Sequence, residues 1–243
     1  AAQTIVMGIV DIVLKVTPFG ILALMTKFLA TSNFGEIFSL IWFVVASYVI
    51  LLLILIVHMV IVALNGLNPF TYLKKSMTVL LFAFTARSSA AAVPLSIKTM
   101  ETKLGVPEGL ASLAASFGTS IGQNGCAGMY PAMLAVMIAP TVGQNPLDPV
   151  WLVTLVVVVA ISSFGVAGVG GGATFAALIV LSAMNLPVAL AGVLISIEPL
   201  IDMGRTLINV SDALVAGVMT AKRSGELNMD IYNAKDTSTD FAG

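Results

Sequence analysis

A long stretch of the sequence has no charged residue, and this limits what the chain can fold into. Between Pro149 and Ile197 there is no Asp, Glu, Lys, Arg or His. Over the whole chain 58% of residues are hydrophobic and 9% are charged, whereas a water-facing surface needs about a quarter to a third charged residues. The apolar runs are continuous rather than alternating, which favours membrane helices over a transmembrane barrel. We therefore expect an all-α membrane protein.

Composition also argues against several classes of partner. The formal net charge of −1 gives no sign of nucleic-acid binding. Cys126 is the single cysteine, so no internal disulfide can form. We expect no cofactor and no nucleic-acid partner. The sequence opens on Ala-Ala-Gln-Thr without a Met, and we expect a fragment that lacks N-terminal helices.

Hydropathy and turn residues divide the chain into membrane segments. Apolar stretches at 4–30 and 34–64 are each long enough to cross a bilayer of about 30 Å. The predicted divisions are single helices at 1–33 and 34–64, a hairpin at 70–104, a broken helix at 107–139, a second hairpin at 149–186, a final helix at 187–223 and a tail at 224–243. The tail is polar, and we expect it to be disordered.

The two hairpins are predicted from pairs of short segments. Their arms lie at 70–86 and 91–103 in the first pair and at 150–164 and 174–185 in the second. Segments of about 12–17 residues are too short to cross a bilayer, so each pair should be re-entrant, entering and leaving by the same face. Interrupted pairs in both halves of a chain are typical of transporters built from inverted repeats.

Basic residues give the predicted orientation. Lysines bracket the first hairpin, and Lys222 and Arg223 follow the final helix, so these ends should be cytoplasmic. The loops near Asn33 and Asn145 should be external. The two hairpins therefore enter from opposite faces, as inverted repeats require, and the C-terminus is expected in the cytoplasm.

Polar residues return together at the start of the final helix. At about 100° per residue, five of them fall on one narrow stripe of that helix. Each ionised group costs roughly 2.5–3.5 kcal/mol at the centre of a membrane helix. Such a stripe persists where it faces a polar cavity or a ligand, so we expect the substrate and ion face of a transporter here. Its members are Glu198, Asp202, Arg205, Asn209 and Asp212.

Several motifs resemble one family of membrane transporters. They are Arg-Ser-Ser at 87–89, Gly-Val-Gly-Gly-Gly at 168–172 and Asp-Met-Gly-Arg-Thr-Leu-Ile-Asn-Val at 202–210. Together they resemble the dicarboxylate/amino acid:cation symporter family. The run 118–128 looks like the bacterial L-cystine uptake branch of that family. The resemblance covers essentially the whole chain beyond its first segment.

The resemblance implies a transporter rather than an enzyme. It implies the import of an amino acid, L-cystine, by cation-coupled alternating access across a bacterial inner membrane that the protein crosses several times. It further implies a homotrimer, in which 1–33 belongs to the scaffold, 34–223 forms the transport core and 224–243 is cytoplasmic. The expected partners are the amino acid and membrane lipid.

The roles of individual residues are also implied by the resemblance. Asp202 would hold the substrate ammonium, Asn209 its α-carboxylate and Arg205 the far carboxylate, which suits the planar guanidinium. Thr206 lies beside them. The other implied substrate-binding residues are Ser88, Ser89, Cys126, Val169, Gly170 and Ala173.

Departures from the family pattern bear on the coupling ion. Where the family has Asn-Met-Asp-Gly-Thr, this chain has Gly-Gln-Asn-Gly-Cys at 122–126, so an acid becomes the amide Asn124. On the final helix Asn-Val-x-Gly-Asp becomes Asn-Val-Ser-Asp-Ala, which moves the acid about 100° around the helix. The coupling ion is expected to be Na+ or H+. The inferred sodium-binding residues are Gly118, Asn124, Asn209 and Asp212, and Glu198 is the inferred proton site.

Other interpretations stay open. Within the family, the substrate could be a dicarboxylate, glutamate or aspartate. Re-entrant loops also form ion channels, and Asp202 with Arg205 could be a structural ion pair. The Gly-Thr-Ser-Ile-Gly run at 118–122 matches the nucleophile elbow of serine hydrolases. His58 would have to be the base for Ser120, although a lone histidine in a membrane is usually structural.

Overall fold

The computed structural model describes Thr26 and residues 34–166, 168, 171–188 and 197–234. All secondary structure in these ranges is helical, which confirms the all-α part of the expected fold there. The predicted first segment lies outside them, apart from Thr26. The helices are α1 (Phe34–Leu64), α2 (Pro69–Ala86), α3 (Ser89–Thr102), α4 (Glu108–Gly118), a π-helical segment (Asn124–Met129), α5 (Tyr130–Ile138), a 3-10 turn (Ala139–Val142), α6 (Pro149–Ser163), α7 (Gly172–Ala183), α8 (Glu198–Ser224) and α9 (Met229–Asn233).

Two stretches among the described residues are long and apolar enough to cross a membrane. They are Ile41–Leu64, within α1, and Asn124–Val142. Large apolar side chains of α1, including Trp42, Leu52 and Leu64, face outward. A large exposed apolar surface is unfavourable in water. The outward side chains of α1 are therefore typical of a helix that faces lipid.

α2 and α3 form a helical hairpin. The Asn68 side chain caps the first N–H groups of α2, and Pro69 suits the first helical position because its missing N–H would have had no partner there. At the joint, Arg87 has a left-handed backbone with φ of 54°. Ser88 then caps α3 by accepting a hydrogen bond from the Ala91 N–H. The two helices pack against each other, so these two residues reverse the chain.

The chain is not helical at 119–123, between α4 and the π-helical segment. Gly125, just after this break, lies directly against α8. A Cβ built on Gly125 would be 2.6 Å from the Arg205 carbonyl oxygen and 2.8 Å from the Arg205 Cα. Glycine is required for this close approach, which brings the break beside the polar stripe of α8.

The connection between α6 and α7 meets the first hairpin. α6 and α7 pack against each other, and their connection is described in part. Gly168 in this connection donates its N–H to the Thr119 carbonyl at 2.7 Å, and its own carbonyl accepts from the Ala90 N–H at 3.1 Å. The second helix pair therefore contacts both the start of α3 and the break after α4.

α8 lies at the centre of the fold and packs against α1, α2, α3, α4 and the π-helical segment. One apolar core, which includes Tyr72 and Leu214, joins α2, α3 and α4 to the second half of α8. Another core, which includes Leu134 and Ile201, joins α5 and α7 to the start of α8. Most polar residues of α8 lie between the part of the helix that packs into the first core and the part that packs into the second.

The expected disorder of the tail is wrong for residues 228–234. Tyr232 on α9 is fully buried and donates its hydroxyl proton to the Asn68 carbonyl at 3.0 Å. Lys75 donates to two carbonyl groups at the end of α9, at 2.6 and 2.8 Å. Burial raises the pKa of Tyr232 to about 12. A buried aromatic ring and satisfied helix-end carbonyls offset the entropy cost of ordering this polar segment.

Candidate functional site

A cluster of charged side chains is buried at the start of α8. Arg205 is completely buried, and its Nη2 donates to Glu198 Oε1 at 3.1 Å and to Asp202 Oδ1 at 3.0 Å. Both carboxylates are themselves buried. The Glu198 Oε2 atom accepts from the Thr174 hydroxyl on α7. The cluster therefore ties α7 to α8.

Arg205 has hydrogen-bond donors that the described part of the protein leaves without an acceptor. Among the described residues its Nε and Nη1 atoms have no acceptor, although both are shielded from solvent. Its guanidinium carbon lies 4.3 Å from the centre of the Tyr130 ring, which is a cation–π contact. Unpaired buried donors are costly, so this arrangement favours an acceptor that comes from outside the protein.

Asp202 lies between two arginines. Its Oδ2 atom accepts from Arg87 Nε at 3.3 Å, while Oδ1 faces Arg205. The Arg87 side chain, at the joint of the first hairpin, is 37% exposed. With Glu198 the group has two positive and two negative side chains. It is neutral overall and connects the first hairpin to α8.

Both the oxygen and the nitrogen of the Asn209 side chain contact the segment around the helix break. Its Oδ1 accepts from the Gly125 N–H at 2.7 Å, and its Nδ2 donates to Gln123 Oε1 at 2.9 Å and lies 3.1 Å from the Cys126 sulphur. The Thr206 hydroxyl donates to the Asp202 carbonyl. A substrate carboxylate would therefore have to displace protein contacts to reach Asn209.

Each helix pair contributes a residue to the charged cluster, Arg87 from the first pair and Thr174 from the second. Ser89 is buried, and a Cβ built on Gly168 would be 3.1 Å from the Ser89 Cβ. Ala173 is buried at the start of α7, and the Ser88 side chain caps α3. The predicted site residues Val169 and Gly170 lie outside the described residues.

Three of the four residues predicted to bind Na+ share one groove. Gly118, Asn124 and Asp212 line a groove of about 640 Å³ between α4, α6 and α8. Asn209 is not among its lining residues. The Asp212 Oδ1 atom is 2.7 Å from His58 Nε2, and its Oδ2 has no partner among the described residues.

These residues do not fit a preformed sodium site. A hard cation needs several oxygen atoms that are free to coordinate it. The Gly118 carbonyl already accepts from Gln123 Nε2 at 2.6 Å, and the Asn209 oxygen and one Asp212 oxygen are also engaged. In this arrangement the four residues do not offer Na+ a complete set of oxygen ligands.

The hydrogen-bond network around His58 is not predicted from the sequence. The His58 Nδ1 atom is 2.9 Å from the Ser211 hydroxyl, and the Tyr72 hydroxyl is also 2.9 Å from it. With the Asp212 contact, this network joins α1, α2 and α8. The sequence feature that could have indicated this network is the acid at residue 212 in place of residue 213, because the shift directs the carboxylate toward a different helix. Ser120 donates to the Phe117 carbonyl instead, so it does not pair with His58.

Comparison with known proteins decides the family. A family model described as the sodium:dicarboxylate symporter family matches residues 1–223. The chain belongs to this family. The resemblance inferred from the motifs is thereby confirmed, and family membership makes this a membrane protein.

Curated relatives are similar over nearly the whole chain. A Bacillus licheniformis protein named L-cystine uptake protein TcyP is 63% identical over 232 residues, which are 96% of this chain and 50% of that protein. Proteins of the same name from Bacillus cereus and Shouchella clausii are 60% and 58% identical, over 98% and 99% of this chain and 52% and 51% of their own lengths. The chain thus spans about half the length of the curated relatives it matches.

Proposed function

We propose that this chain forms the substrate-binding core of a secondary active transporter that imports an amino acid, L-cystine, by cation-coupled alternating access. The observation that carries the proposal is the complete burial of Arg205, whose Nε and Nη1 atoms have no acceptor among the described residues. A buried guanidinium with free N–H groups favours an anionic ligand, because leaving them unpaired costs free energy. The name shared by the similar proteins supports L-cystine as that ligand.

L-cystine has an ammonium and a carboxylate at each end, and the cluster offers a counterpart for both charges. The free N–H groups of Arg205 would bind a carboxylate with charge-assisted hydrogen bonds. Asp202 would bind an ammonium at Oδ2, where Arg87 is held at 3.3 Å and is partly exposed. Arg87 would then leave Asp202 when substrate arrives, which links substrate binding to movement at the first hairpin.

We infer that the hairpins 70–104 and 149–186 are re-entrant and form inverted repeats. In this proposal the connection around Gly168 is the external gate, with Ser88, Ser89, Val169, Gly170 and Ala173 near the substrate. The contacts of Gly168 with Ala90 and Thr119 support a gate at this position.

The larger assembly is also proposed. Residues 34–223 would form the transport core, 1–33 a scaffold helix of a homotrimer, and 224–243 a cytoplasmic tail. The membrane would be the inner membrane of a bacterium, with lipid against the apolar face of α1. The identity of the relatives as Bacillus and Shouchella proteins supports a bacterial membrane.

The coupling ion is proposed to be Na+ or H+. The family description names sodium, which supports a cation. Glu198 is the proposed proton site, because it is buried one helical turn before a second buried acid, Asp202, and two like charges disfavour ionisation of both. Its position on the substrate cluster would let a proton and the substrate influence each other through Arg205.

Isothermal titration calorimetry on the full chain in lipid nanodiscs tests the substrate. We expect L-cystine to bind at least about tenfold more tightly than aspartate or succinate, in Na+ and in K+. Its second amino-acid head adds charge-assisted contacts worth about 1.5–3 kcal/mol. Tighter binding of aspartate or succinate would instead support the dicarboxylate or acidic amino-acid alternative. Unitary currents in place of saturable uptake would support the ion-channel alternative.

A further inference from the structure

The side chain of Gln123 is a buried polar group that the transport proposal does not use. It is 2% exposed and lies at the break between α4 and the π-helical segment. Its Oε1 accepts from Asn209 Nδ2 at 2.9 Å, and its Nε2 donates to the Gly118 carbonyl at 2.6 Å. Gln123 therefore contacts two of the four residues predicted to bind Na+.

Backbone groups fix the direction of this chain of hydrogen bonds. The Gly125 N–H can only donate, so it must face the Asn209 oxygen. The Asn209 amide nitrogen then faces Gln123 Oε1, and Gln123 Nε2 faces the Gly118 carbonyl, which can only accept. The nitrogen of Gln123 is thus directed at an oxygen that would otherwise be available to a cation.

The local charges also favour an amide over a cation. Gly118 packs against Ala213, because a Cβ built on Gly118 would be 2.5 Å from the Ala213 Cβ. Asp212, which precedes Ala213, lies about 100° away around α8 and directs Oδ1 to His58, while its Oδ2 has no partner among the described residues. A full positive charge among neutral oxygens would be costly to bury without an anion beside it. A neutral N–H donor satisfies the same carbonyl without that cost.

We propose that the side-chain amide of Gln123 takes the place of a coupling cation between Gly118 and Asn209. Na+ does not bind at this position, and residue 123 determines the ion specificity there. This inference rests on the proposed function because it assumes that transport is coupled to a cation. The experiments below use no substrate. If L-cystine failed to bind, the proposed function would be contradicted, but the results of these experiments could still be interpreted.

NMR on the unmodified chain tests the hydrogen bond directly. The chain has three glutamines, Gln3, Gln123 and Gln144, so selective 15N labelling of glutamine gives three side-chain NH2 groups, each with two proton signals. We expect the Gln123 N–H protons to exchange with water more slowly than those of Gln144. Replacing K+ by Na+ at constant ionic strength should move the Gln123 signals no more than those of Gln144. A saturable, sodium-specific shift of Gln123 alone would overturn the proposal.

A charge-changing variant tests the ion specificity. Gln123→Glu replaces the donor by an oxygen facing the Gly118 carbonyl, so this variant needs a cation to separate the two oxygens. We expect each tenfold rise in Na+ to raise its Tm by roughly 3–6 °C more than in the unmodified chain. The matched control is Gln144→Glu, which keeps the oxygen that accepts from Trp151 at 2.8 Å and should respond as the unmodified chain does.

The variant has one alternative outcome that also supports the proposal. If the new carboxyl binds H+ instead of Na+, its pKa is raised in the folded state, and Tm falls as pH rises through that pKa. Stabilisation of Gln123→Glu by Na+ or by H+ would each show that a cation must replace the lost N–H donor of Gln123. Sodium and pH responses of Gln123→Glu equal to those of the unmodified chain would overturn the proposal.

Discussion

Asp212 and Ala213 are neighbours on α8 but face different helices. The Asp212 carboxylate lies 2.7 Å from the His58 ring on α1, whereas Ala213 packs against Gly118 on α4. Adjacent positions of a helix point about 100° apart. An acid at residue 213 would therefore be directed toward Gly118, while the acid at 212 joins α8 to α1. A shift of the acid by one residue along α8 therefore decides whether its carboxylate faces the predicted ion site or contacts another helix.

We predict that His58→Ala lowers the free energy of unfolding by about 2–4 kcal/mol, because Asp212 then loses the partner of its Oδ1 atom. The expected loss is smaller than for a fully buried charged pair, since the Asp212 side chain is 21% exposed. The measurement is equilibrium unfolding of the chain in bicelles.

A double-mutant cycle with Asp212→Ala controls for effects of His58→Ala that do not involve this pair. We expect a coupling of at least about 1 kcal/mol between the two substitutions. Strictly additive losses of stability would show that the contact between His58 and Asp212 contributes nothing.

The polar stripe could be predicted from helical periodicity, but the partners of its members could not. Glu198, Asp202, Arg205 and Asn209 are all buried on α8, as one stripe facing the protein interior requires. Their partners include Gln123, which is 86 residues away from Asn209. Contacts of this kind depend on how separate helices pack, and no spacing within one helix reveals them.

The connection between α6 and α7 contacts the rest of the protein through the backbone of Gly168. A Cβ on Gly168 would be 2.9 Å from the Thr119 carbonyl oxygen, 3.1 Å from the Ser89 Cβ and 3.2 Å from Gln123 Nε2. These neighbours belong to the first hairpin and to the break after α4. The two hairpins can meet here because residue 168 has no side chain.

We predict that Gly168→Ala destabilises the chain by about 1–3 kcal/mol, since the added methyl group forces the two hairpins apart. Gly165→Ala is the matched control, because its Cβ would be 3.6 Å from the Ser162 carbonyl, an ordinary contact. Thermal unfolding in detergent compares the two variants. Equal Tm values would contradict the contact between the hairpins.

The helix break could be predicted from its glycines, whereas the π-helical segment could not. Gly122 and Gly125 flank the start of the segment Asn124–Met129, and glycine-rich runs interrupt helices. The wider helical turn places Gly125 against the Arg205 backbone and Cys126 beside Asn209. It follows from packing on α8, which a local sequence pattern does not encode. The short helix α9 escaped prediction for the same reason.

At the scale of the whole molecule, composition was enough to predict a helical membrane protein, and a few motifs were enough to identify the family. The arrangement of the helices required the structure. α8 belongs to both apolar cores, and its charged residues lie where the two cores meet. A site between two packed units can change when one unit moves against the other, which is what alternating access needs.

The proposed binding of L-cystine depends most on Arg205, whose N–H groups without an acceptor among the described residues would bind a substrate carboxylate. The most direct test is the Kd for L-cystine in Arg205→Lys, which keeps the positive charge beside Glu198 and Asp202 but loses the planar donors. Arg223→Lys is the control, because Arg223 is exposed and contacts Asn65 at 3.4 Å. We predict that Arg205→Lys raises the Kd about 10- to 150-fold and that Arg223→Lys leaves it unchanged. An unchanged Kd in a folded Arg205→Lys protein would contradict the account.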